Sequence, residues 1–127
     1  MHPEKVIFSF FIVLALTLNF GFFVGEISDP AHHHVYELFA VIVVNLIATI
    51  LKFGDRTQVG AVLLATSLVA LLQLFAAAIV WGLAVHGTDA GLTPSVMASI
   101  VSLSGGALLA NIVSVTLLII ETVMLRR

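Results

Sequence analysis

Four apolar stretches, each long enough to cross a bilayer, constrain this chain more than any other feature. A hydrocarbon core of about 30 Å takes roughly 20 residues of helix. The stretches at about 4–27, 30–53, 56–86 and 94–125 all meet that length. Only 9% of the 127 residues are charged and 61% are hydrophobic, so a small soluble domain would lack the polar surface it needs. The expected fold is all-α: a polytopic membrane protein whose single domain, 1–127, is a bundle of four transmembrane helices. The first stretch is longer than the apolar core of a signal peptide and no small-residue cleavage pattern follows it, so it reads as a retained helix.

Local signals mark the boundaries. Asp29-Pro30 and Thr93-Pro94 each set a capping side chain before a proline suited to the first helical turn. Asp55 with Gln58 fits a capping box at the start of the third span, Gly87 suits its end, and Gly54 suits the tight turn before it. The connections are short, which favours antiparallel neighbours. Lys5, Lys52, Arg56, Arg126 and Arg127 all fall on one side, whereas Glu26, Asp29, Glu37, Asp89 and four histidines fall on the other. Positive charge collects on the cytoplasmic side of short loops, so the expected orientation is N-in, C-in, in a bacterial cytoplasmic membrane.

Polar residues inside the spans carry the functional reading. At 100° per residue, His34, Glu37, Val41, Asn45, Ala48 and Lys52 share one face of the second span, within an arc of about 80°. A homo-oligomer with this helix at its axis would stack a carboxylate ring, an amide ring and an ammonium ring, a pattern suited to passing cations. The competing reading makes Asn45 an interhelical hydrogen-bonding group and the two charges interface markers. On the fourth span, Ala98, Ser102, Gly106, Ala110 and Ser114 form a small-residue row that invites close helix packing. Ser104 and Asn111 lie roughly opposite it, and their need for partners argues for protein on both sides, hence an oligomer. Thr66, Ala70, Gln73 and Ala77 share a stripe on the third span, and Ala15, Asn19 and Glu26 mark the first. The four amides, Asn19, Asn45, Gln73 and Asn111, must pair or meet water, since unsatisfied amides in hydrocarbon are costly. The segments Asn45-Leu46-Ile47-Ala48 and Asn111-Ile112-Val113-Ser114 look alike and hint at a duplicated helical hairpin.

His33, His34 and His86 are candidate ligands for a divalent metal on the outer side, beside the reading of plain interfacial histidines. No other cofactor is implied. The chain has no cysteine, no basic tract for nucleic acid, no nucleophile–base pair and no phosphate-binding glycine loop, so an enzyme is not expected. No ionisable residue sits near the centre of a span, which speaks against a pump or proton-coupled carrier.

The stretches Lys52-Phe53-Gly54-Asp55-Arg56-Thr57-Gln58-Val59-Gly60 and Ser102-Leu103-Ser104-Gly105-Gly106-Ala107 resemble a family of small bacterial four-helix membrane proteins of unknown function, over nearly the whole chain. That likeness implies the membrane fold and no activity. The arginine-bearing glycine motif and Phe-Ser-rich break of fluoride channels are not evident, and calcium-release-activated channels offer an analogy of charge placement alone. The expected function is a passive cation pathway lined by the second helix of a homo-oligomer. Alternatives are an accessory or assembly subunit of a larger membrane complex, or a small-solute carrier. Lipid, other copies of the chain and inorganic cations are the expected partners.

Overall fold

The computed structural model describes residues 3–24, 34–53 and 57–125. Among these, all regular structure is helical: α1 (Pro3–Phe23), α2 (Val35–Lys52), α3 (Gln58–Gly87) and α4 (Pro94–Leu125). All four are long and apolar enough to cross a membrane, and the chain is a multi-pass membrane protein. The helices pack in cyclic order, α1 on α2, α2 on α3, α3 on α4 and α4 back on α1, while the diagonal pairs barely touch. We call the end with the two termini and the α2–α3 turn the terminal end, and the opposite end distal.

The caps explain where the helices start. The Thr57 hydroxyl accepts from the Gly60 N–H at 2.9 Å, so Thr57 caps α3 and the expected role of Asp55 falls outside the described residues. Thr93 accepts from the Val96 N–H at 3.2 Å, and Pro94 then occupies the first turn of α4, as the sequence suggests. His34 was expected within the second helix; it is instead the extended residue before Val35, and Asp29-Pro30 lie outside the described residues. Gly87 ends α3 without a left-handed turn; the positive φ needed in this connection, 65°, is at Gly91.

Each helix turns a line of residues spaced alternately by three and four into the bundle. These are Phe8, Ile12, Ala15, Asn19 and Phe22 on α1, and Leu38, Val41, Asn45, Ala48 and Lys52 on α2. On α3 the line is Gly60, Leu63, Ser67, Ala70, Leu74 and Ala77. On α4 it is Met97, Ile100, Ser104, Ala107, Asn111, Ser114 and Leu118. Spacing of this kind keeps a seam facing its neighbours in a bundle of slightly inclined helices. The lipid-facing surface is made of large apolar side chains such as Phe10, Phe20, Phe39, Leu72, Ile79, Leu109 and Ile119.

Candidate functional site: a polar layer in the bundle interior

Cross-helix contacts set the register of the inward lines. Lys52 Nζ lies 4.3 Å from the centre of the Phe8 ring, near the terminal end. The hydroxyls of Thr66 and Ser114 are hydrogen-bonded; Thr66 gives its one proton to the Leu63 carbonyl, so Ser114 is the donor between them. A side chain at Gly21 would come within 3.7 Å of a Glu37 carboxylate oxygen, near the distal end of α1 and α2.

With these anchors the interior sorts into layers. A terminal apolar cluster contains Phe8, Ile12, Ala48, Leu63 and Leu118. A distal one contains Phe22, Leu38, Val41, Ala70, Leu74, Met97, Ile100 and Ala107. Between them on the inward lines stand Ala15 and Asn19 on α1, Asn45 on α2, Ser67 on α3, and Asn111 and Ser114 on α4, all fully buried and none belonging to either cluster. Every helix thus contributes a polar or small residue to one mid-bundle layer.

Hydrogen bonding in this layer is incomplete in a specific way. Asn45 Nδ2 donates to the Val41 carbonyl of its own helix at 2.9 Å, and the Thr49 hydroxyl donates to the Asn45 carbonyl at 2.8 Å. The Asn45 side-chain oxygen has no partner. In the orientation that matches donors to acceptors, the Asn19 amide oxygen accepts from Asn111 Nδ2 at 3.2 Å and from the Leu108 N–H at 3.0 Å. Its nitrogen donates to the Ser104 carbonyl at 3.1 Å. The Asn111 side-chain oxygen is then left alone, as is the Ser67 hydroxyl. These three are the buried side-chain N and O atoms without a partner among the described residues, and all three belong to the one layer. An unpartnered buried polar atom costs about 1–3 kcal/mol, and hydrocarbon offers no relief, so three together are too costly to be incidental.

The residues named from sequence fall into place as follows. Val41, Asn45, Ala48 and Lys52 do share a face, but it is turned into the chain's own bundle against α1 and α3, not outward toward an axis shared by copies. Glu37 is half-buried at the distal end of the same face, with no ion pair among the described residues. In the small-residue row, Ser114 and Ala110 are buried, and a side chain on Gly106 would overlap the Gln73 amide of α3. Asn111 meets Asn19 of α1 through its amide, whereas the buried Ser104 hydroxyl donates to the Val101 carbonyl of its own helix at 2.7 Å and only its main-chain carbonyl meets α1. Both sides of α4 are therefore met within one chain, which removes the argument from α4 to an oligomer. Ser102 alone in that row is exposed, and Ala98 is partly so. Gly105, next to Gly106, gives room to the Phe23 ring of α1.

His34 and His86 are both exposed, and His33 lies outside the described residues. Among the described residues no three His, Asp or Glu groups come together as metal ligands. Ser67 and Thr49 escaped the sequence reading, which followed Thr66 on α3. The signal was present in the seven-residue recurrence of small side chains at Gly60 and Ser67 and at Ala70, Ala77 and Ala84.

Over residues 32–122 the chain matches the group described as "Family of unknown function (DUF6394)", and it belongs to that family. No curated protein and no solved structure matches it.

Proposed function

We propose that this protein is a passive, gated pathway for small cations, running inside its own four-helix bundle. The observation that carries this reading is the mid-bundle layer in which Asn45, Ser67 and Asn111 each hold a buried oxygen without a partner. Glu37 stands at the distal end of the same α2 face, where a carboxylate would recruit cations. The apolar layers on either side, with Val41, Leu38 and Phe22 distally and Ile12 and Leu63 terminally, would act as dewetted constrictions in the resting state. Lys52, 8% exposed and seated over Phe8, guards the other mouth.

We assign the terminal end to the cytoplasm, because Lys5, Lys52, Arg56, Arg126 and Arg127 all belong to that side, and the membrane to a bacterial inner membrane. The test is cation flux into proteoliposomes holding the purified chain. Wild type should conduct, and Glu37→Gln and Asn45→Leu should each alter rate or selectivity. Folded wild type that stays silent across voltage, pH and divalent ions would sink the pathway.

A second reading, an accessory subunit of a larger membrane complex, is favoured by one observation. Ser102 on α4 is exposed at membrane depth and makes no hydrogen bond among the described residues. A partner helix on that side would satisfy it.

A further inference from the structure

We infer that the polar layer is a binding site for one partly dehydrated monovalent cation. The inference deepens the pathway reading and rests on it for its physiological role, although binding itself is measurable apart from transport.

The chemistry of the site is set by which atoms are already engaged. Asn45 Nδ2 is held by the Val41 carbonyl and Asn111 Nδ2 by the Asn19 amide oxygen. One hydrogen of each amide nitrogen is thereby held, which orients the amide and leaves its oxygen as the atom without a partner. Ser67 adds a hydroxyl oxygen from a third helix. The unpartnered atoms are two amide oxygens and one hydroxyl oxygen, a set that suits a cation or a water molecule.

Charge then separates the cations. Divalent ions draw on carboxylate ligands, and the layer has none. Glu37, the nearest acid on α2, is eight positions away from Asn45, about 12 Å along the helix. Neutral amide and hydroxyl oxygens replace part of the hydration shell of a monovalent ion, as backbone carbonyls do in selectivity filters. Ala15 completes the layer without adding bulk, and Ser67 on the neighbouring α3 is likewise small.

The experiment follows thermal unfolding of the purified chain in detergent, in sodium, potassium or N-methylglucamine chloride at equal ionic strength. Ser67→Ala and Asn45→Leu are run beside wild type; Ser67→Ala removes one hydroxyl and preserves packing. The expected result is a higher midpoint for wild type in one of the alkali salts, rising by about 4 °C at a tenfold excess over the dissociation constant. Both variants should lose that shift. A midpoint that is the same in all three salts, or a shift retained in both variants, overturns the site and leaves a buried water as its occupant. Flux that fails while the salt-dependent shift persists removes the pathway but not the site.

Discussion

Asn19 on the first helix donates to the main-chain carbonyl of Ser104 on the last, and its oxygen accepts from the N–H of Leu108. Those two backbone groups are four residues apart, the spacing of partners in an α-helical ladder. A side-chain amide thus shadows one rung of α4, at the level of Gly105 and Gly106.

Replacing Asn19 by Leu removes these bonds and also strands Asn111 Nδ2. Interhelical hydrogen bonds in membranes are worth about 0.6–2 kcal/mol each, so a loss of about 1–3 kcal/mol is expected. Asn19→Asp should cost more still, since an ionised carboxylate cannot donate to Ser104 and its charge would be buried in the bundle. Reversible unfolding in mixed micelles measures both.

Gly106→Ala should displace the Gln73 amide at a small loss of stability, because the added Cβ overlaps the movable end of that side chain. Combining it with Gln73→Ala should recover part of the loss. A double-mutant cycle in which the two effects simply add would show that they do not meet.

Glu37 has room against α1 because residue 21 lacks a side chain. A Cβ there would sit at an ordinary contact distance of 3.7 Å, so Gly21→Ala should fold and conduct as wild type. Gly21→Leu should push the carboxylate aside and lower cation flux while the chain remains folded. Equal flux in both variants would detach Glu37 from the pathway.

Phe8→Leu takes the ring from beneath the Lys52 ammonium. The expected cost is about 0.5–2 kcal/mol, measured as in the Asn19 series, and larger than that of Phe10→Leu on the lipid-facing side.

Ser102→Leu discriminates a lone bundle from one that meets a partner. In a lone bundle it replaces a lipid-exposed hydroxyl and leaves stability and size unchanged. A shift to smaller particles in native membranes would reveal a partner on that face.

Much of this was legible in the residues themselves. The four spans follow from hydropathy alone, and the α2 stripe from Glu37 to Lys52 follows from helical periodicity. Periodicity says which residues share a face but not what the face meets. In the bundle the α2 stripe is turned inward, with Asn45 fully buried and the Lys52 ammonium over the Phe8 ring of α1. Ser67 was hidden for a related reason: its standing beside Asn45 depends on the axial offset between α2 and α3, which no single helix encodes.

The Asn19 contacts tie α1 to α4, which lies beyond two other helices in the chain. All the partners that the Asn19 amide has in the bundle belong to α4. The bundle therefore closes like a clasp, one amide of α1 gripping the main chain of α4.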